Sequence, residues 1–407
     1  MTAIRLSEKA RQYLQHLCVE IPNRRVGSKG NQASTAFLVE SLGAFGFQIE
    51  CPAFDCIDWS QDGALLSLDG ITFETLVSPY TLGCHVRGLL AAVTTVAELE
   101  VADVTGKILL LHGDIAKEQL MPKNFPFYNP DHHRRIIQLL ETRQPYAIIA
   151  ATTQDVGLAG AVYPFPLIED GDLDIPSVYM TEKEGKRLSE YVGKEASLEI
   201  HAHRTPAKGC NVIARKGGDH SRRVVLFAHI DAKDGTPGAI DNATGVVILL
   251  LLAELLADYS GQLGIEIVAL NGEDYYAASG EKLYLSRNAG KFGEIVLGIN
   301  LDGVGYCEGH TAYSLYDCPA DLENLIRALF IRNPGLLEGE PWYQSDHSLF
   351  VINQRPALAF TSERFTELWT EIAHTPKDIP EIVDPTKLVE VAVALQELLH
   401  SLDKLMA

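Results

Sequence analysis

Apolar positions recur at helical spacing over residues 6–19 and again over 34–42, where Gly43 and Gly46 end the pattern. Residues 47–54 then read as a strand. From about residue 62 to residue 203 the texture changes. Short β-like runs dominate there, at 64–68, 88–96, 107–111, 146–151 and 197–201, with one clear helix over 131–143 and turns rich in Gly and Pro. This predicts a small β-rich module. After Pro206 strands and helices alternate: strands at 211–215, 223–228, 263–270, 294–301 and 357–361, helices at 244–259, 321–332 and 386–402. The strands are continuously apolar, and the helix over 244–259 carries almost no charge. Such segments must be covered by protein, so the spacing predicts an α/β fold with a central sheet covered by helices on both faces.

Composition narrows the function classes. The 407 residues carry 54 Asp plus Glu against 34 Lys plus Arg, a formal charge of -20. A field of that sign repels nucleic acid and anionic membrane, so neither is expected as a partner. The opening residues lack an apolar core of signal-peptide length, and the most hydrophobic stretch, 246–257, is broken by Glu254 and too short to span a bilayer. The seven cysteines form neither a CxxC pair nor an even set. Reduced thiols in a cytoplasmic protein are the expectation. No GxGxxG follows a strand and no GxxxxGK occurs, which removes support for nucleotide chemistry.

The strand ends carry the chemistry. Strand 223–228 runs into His229-Ile230-Asp231, and a loop then delivers Asp241-Asn242 just before the helix at 244. Strand 263–270 leads into Glu273-Asp274, and strand 294–301 into Asp302-Gly303. In a covered α/β sheet such ends converge. One acidic residue at a strand end is ordinarily a loop residue or helix cap, but successive strands ending this way mark a site. Crowded carboxylates need positive charge among them. No run of Lys or Arg interleaves with these motifs, so metal is the natural counter-charge. His with Asp and Glu suits zinc, with manganese or cobalt as alternatives, and the number of groups suits two ions sharing a carboxylate. Asp231 is a candidate to orient His229 from behind. Of the adjacent pair Glu273-Asp274, one can face a metal and the other the attacking water. His310, His347 and His374 all remain candidates for a second imidazole ligand, with His347 also readable as a capping or core residue. His132 and His133, opening a helix in the middle module, read as surface groups.

The segments FAHID, GAIDNATGVVILLLLAELL, IVALNGED, NLDGVG, SDHSLF with RPALAFTS, and HTPKD resemble the co-catalytic zinc aminopeptidases of peptidase family M28 over much of residues 205–400, and residues 27–31 with the following helix resemble the start of the same domain. VADVTGKILLLHG and IPSVYMTEKEGKRL are similar to a protease-associated domain inserted into such an enzyme. The resemblance implies a mixed sheet of the zinc exopeptidase type over residues 1–60 and 205–407, interrupted by an insert at 61–204. It implies two zinc ions, one held by His229 and Asp302, the other by Asp274 and His374, with Asp241 bridging and a cis bond after it. Glu273 is then the general base and acid acting on a metal-bound water, and Asp231 the residue behind His229. Asp346 and His347 fall in a supporting segment. Short peptides with a free N-terminus are the implied substrates. This chain departs from the family at 273–274, where Glu-Glu is usual and Glu-Asp stands here. The alternatives on the same scaffold are a carboxypeptidase, a glutaminyl-cyclase-like enzyme, or a receptor without catalysis. The last is disfavoured by the full ligand set, and the cyclase by its usual single zinc.

Overall fold

The computed structural model describes residues 2–21, 23–153 and 163–406, and the chain divides into two compact units, 1–56 with 208–407 and 57–207. The first unit is built on an eight-stranded mixed sheet. Its strands in chain order are β1 (Gln48–Glu50), β2 (Val212–Lys216), β3 (Asp219–His229), β4 (Leu263–Leu270), β5 (Ile295–Leu301), β6 (Thr311–Tyr316), β7 (Leu336–Glu338) and β8 (Ala357–Ser362). They lie side by side in the order β1-β2-β4-β3-β5-β8-β6-β7. The central four, β4, β3, β5 and β8, are parallel, with His229 opposite Leu270 and Leu301 opposite Phe360. Their C-terminal ends are therefore level with one another. The outer pairs β1–β2, β2–β4 and β8–β6 are antiparallel.

Period-two alternation divides the core. Val224, Leu226 and Ala228 of β3 face one layer, and Val225 and Phe227 face the other. The first layer holds α1 (Thr2–Gln15), α2 (Lys29–Ala44), α3 (Thr244–Leu255) and α6 (Pro385–Met406), with α3 packed against α1, α2 and α6. Every residue of α3 from Thr244 to Ala253 is buried, which explains its lack of a polar face. Each of the fully buried leucines 249–252 contributes roughly 1.5–3 kcal/mol by burial. The second layer holds α4 (Ser279–Arg287), where Tyr284 packs on Phe227, and Phe350 beside them. Between α4 and α6 in the chain, α5 (Ala320–Phe330) buries Ile326 and Phe330.

Local chemistry sets two entries. Ser28 caps α2 by accepting from the Asn31 N–H. Gly30 follows because a Cβ there would lie 1.8 Å from the Asn23 carbonyl oxygen. At the start of α3, a Cβ on Gly245 would lie 2.4 Å from the Leu301 carbonyl oxygen. That close approach brings the turn carrying Asp241 down onto the end of β5.

In the second unit an eight-stranded sheet runs in the order Ile71–Phe73, Ala53–Leu68, Glu195–Cys210, Cys84–Val93, Ile108–Leu111, Ala147–Thr152, Ser177–Thr181, Leu76–Val77. The helix Asp131–Arg143 packs Ile136, Ile137 and Leu140 into a core with Leu109, Leu111 and Ile148. One expectation fails here. His132 is exposed, but His133 is buried, at 4% of its full exposure. Positions 133, 136, 137 and 140 form one helical stripe, so the ring belongs to the core-facing side and accepts the Met121 N–H at Nδ1.

Candidate active site

Because the parallel strands end level, the loops that follow them open at one edge of the sheet. His229 closes β3 and is fully buried. Its Nδ1 hydrogen-bonds the Asp231 backbone carbonyl at 3.1 Å, which sets the proton there and turns the Nε2 lone pair toward the strand ends. Nε2 lies 3.0 Å from Asp241 Oδ1 and 3.8 Å from Asp302 Oδ1. The second oxygen of Asp241 lies 3.0 Å from His374 Nε2, and that nitrogen is 2.9 Å from Asp274 Oδ1. Asp241 thus stands between two imidazoles, one oxygen to each. The structure brings His229, Asp241, Asp274, Asp302 and His374 into one cluster. Glu273 sits beside Asp274, half-buried, its carboxyl within the fields of His229, Asp274, Asp302 and Asp346.

Four of these five groups are held from behind. Asp302 Oδ2 accepts from Ser345 Oγ at 2.6 Å, and Ser345 in turn accepts from Asn300. The Asp241–Asn242 peptide is cis. Asp378, buried under the Asp241 turn, accepts the Ile240 and Asp241 N–H groups at 2.6 and 3.0 Å. His374 has φ 59°, a left-handed conformation unusual for a residue with a Cβ. Asp231 uses its carboxylate differently from the expected support of His229. Its oxygens accept the Gly272 and Asp274 N–H groups at 2.8 and 3.0 Å, while the carboxylate stands 3.8 Å from the ring. It orients His229 through its backbone and the Glu273–Asp274 turn through its side chain. His347 lies outside the cluster, buried against Tyr316 and Trp342, with Nε2 donating to the Trp342 carbonyl. His310 is exposed and pairs with Glu363.

The charge balance asks for cations. Burial pushes Asp231 up to about 6 and Asp346 to about 7, the neighbouring carboxylates adding to the effect. Glu273 is likewise raised by burial and by Asp274, Asp302 and Asp346. Burial opposes a charge on His229 and His374, but the carboxylates outweigh it and raise both. Asp241 is held far below the usual carboxylate range by the two imidazoles, against the effect of burial. His229 Nε2, both Asp241 oxygens, Asp274 Oδ2 and Asp302 Oδ1 are buried and make no regular hydrogen bond. Close-set imidazole and carboxylate donors turned inward without partners fit divalent metal.

Neither Ser345 nor Asp378 was singled out in the sequence. Asp378 lies in the HTPKD segment, but nothing there signals a cradle for a turn 137 residues earlier. Nor was the aromatic wall beside His374, where Trp369 lies 5.9 Å from its ring and stacks on Phe365.

Residues 211–399 match the model of peptidase family M28. Among curated relatives, the "Probable lipoprotein aminopeptidase LpqL" of Mycobacterium tuberculosis is 24% identical over 64% of this chain and 51% of its own length. The "Probable leucine aminopeptidase 2" of Aspergillus fumigatus is 24% identical over 82% of this chain and 67% of its own. The chain thus spans about half to two thirds of the length of these relatives. An aminopeptidase from Aneurinibacillus sp. strain AM-1 superposes with a TM-score of 0.74 at 20% identity, covering 97% of this chain and 93% of that one. No helix among the described residues is long and apolar enough to cross a membrane. The mixed sheet flanked by helices has the zinc exopeptidase architecture, and the fold and the candidate metal-binding residues His229, Asp241 and Asp274 match the co-catalytic zinc aminopeptidases of peptidase family M28.

Proposed function

We propose that this protein is a metal-dependent aminopeptidase that hydrolyses the N-terminal peptide bond of short peptides. The observation that carries the reading is Asp241, whose two oxygens each lie 3.0 Å from a different imidazole with no other partner. His229 and Asp302 would hold one divalent ion, Asp274 and His374 the other, with Asp241 shared and zinc favoured by the donor set. When bound, such a pair supplies Lewis acidity toward the scissile carbonyl and lowers the pKa of water. Glu273 takes the proton of the attacking water and returns it to the leaving amine. Its crowded surroundings make it a stronger base than a free carboxylate. Asp231 fixes the turn on which Glu273 and Asp274 ride. The acidic site suits a protonated α-amine, and the aromatic wall at Trp369 suits an apolar side chain beside it. Residues 57–207 are read as a protease-associated-like insert, on their separate compactness and the two motifs noted above. Cys18, a buried thiol, suits a reducing compartment such as the cytoplasm.

The test is hydrolysis of aminoacyl anilides against their N-acetylated forms by protein purified without chelator. Turnover of the free-amine substrates alone, lost on chelation and restored by zinc, is expected. Equal cleavage of blocked substrates would place the enzyme among other amidohydrolases, and ammonia release from N-terminal glutamine among cyclases.

A further inference from the structure

The loop after β3 sets a cation against one half of the cluster. Lys233 Nζ lies 3.9 Å from Asp274 Oδ1, the same oxygen that approaches His374. The lysine side chain is 24% exposed and the aspartate 2%. Its backbone is clamped on both sides. Arg24, itself buried, donates to the carbonyls of Ile230, Pro237 and Gly238 at 3.0, 2.8 and 2.7 Å. Arg25 pairs with Asp234 at 2.7 Å. The half formed by His229 and Asp302 is backed instead by neutral groups, the Ser345 hydroxyl and the Asn300 amide behind it.

Resting on the two-ion reading above, we propose that Lys233 is a resident counter-cation of Asp274, so that the ion at Asp274 and His374 binds against its ammonium and is held more weakly than the ion at His229 and Asp302. A positive charge about 4 Å from a ligand oxygen is close enough to change divalent binding by about tenfold or more at the effective dielectric of a protein surface. Occupancy of this half then follows the metal concentration around the protein, while the other half stays filled. Lys233 is a positioning residue for the metal and touches no reacting atom.

The test is stepwise Zn2+ titration of metal-free protein against a chromophoric chelator, with anomalous scattering to assign each ion. Lys233→Met is expected to tighten the weaker constant about tenfold and leave the stronger within about twofold. Lys233→Arg, which keeps the charge, is expected to behave as the parent. A parent that binds one ion beside a Met variant that binds two would support the proposal equally. Two ions with an unchanged weaker constant in the Met variant, or an equal change in both constants, would overturn it while leaving the two-ion reading intact. A single ion in every protein would overturn both.

Discussion

Among the described residues, two groups of three histidine and carboxylate side chains come together, one in each unit. Glu118, His132 and His133 in the second unit bring their ligand atoms as close together as His229, Asp241 and Asp274 do in the first. The chemistry differs because the protons are placed differently. His133 Nδ1 accepts the Met121 N–H at 3.1 Å, so the neutral ring carries its proton on Nε2, which lies 3.6 Å from Glu118. No lone pair is left to face a metal. His229 has the reverse arrangement, its Nδ1 set by the Asp231 carbonyl and its Nε2 open. Residue type and proximity are shared; one backbone contact decides which nitrogen can ligate.

The largest expected effect separates the two groups by activity. Glu273→Gln should lower kcat about 10²- to 10⁴-fold with both ions retained, whereas Glu118→Gln should leave kcat unchanged. Near-normal turnover of Glu273→Gln with full metal content would remove it as the base.

Next comes a pH effect from a histidine that, like His133, is buried as the neutral ring. Burial among aromatic rings lowers His347 to about 4, against 6.5 in the open chain. The stability this represents is fully present above pH 6.5 and is lost as pH falls through about 4, some 3 kcal/mol in all. His347→Gln, which keeps a donor for the Trp342 carbonyl, should flatten the unfolding free energy over that window in urea titrations.

A smaller effect concerns the halves of the metal cluster. Asp274→Glu restores the missing methylene and should tighten the weaker ion while leaving the His229–Asp302 ion unchanged, read by stepwise titration. Loosening of the weaker ion instead would mean the backbone has already adapted to aspartate. The smallest expected effect is none: His132→Ala should leave the zinc stoichiometry as it is, and loss of an ion would reverse the comparison drawn above.

Much of the fold was legible, and where it was not the reason is physical. Helix Asp131–Arg143 and strand Leu263–Leu270 match the sequence reading residue for residue, because their apolar periodicity is unbroken. Ala53–Leu68 escaped as one long strand since Asp58, Gln61, Asp62 and Gly63 interrupt its middle, which is largely open to solvent. Strand Thr311–Tyr316 and helix Glu182–Ser189 were missed, the first for its Ser and Tyr content and the second for its brevity. His133 was misread although its helical stripe was available.

The order of acidic and imidazole residues at successive strand ends follows from sequence alone, because a covered parallel sheet leaves its loops at one edge and apolar runs reveal which strands are covered. Sequence also carries the shortened carboxylate at 274. Only tertiary structure decided which histidine points a lone pair inward, that the Asp231 carboxylate holds a turn and leaves the ring to its backbone carbonyl, that Asp378 cradles the Asp241 turn, and that Lys233 meets Asp274. The Asp231 carboxylate, Asp378 and Lys233 contacts join residues tens to more than a hundred positions apart, where an ångström separates a ligand from a neighbour and no local spacing encodes the distance.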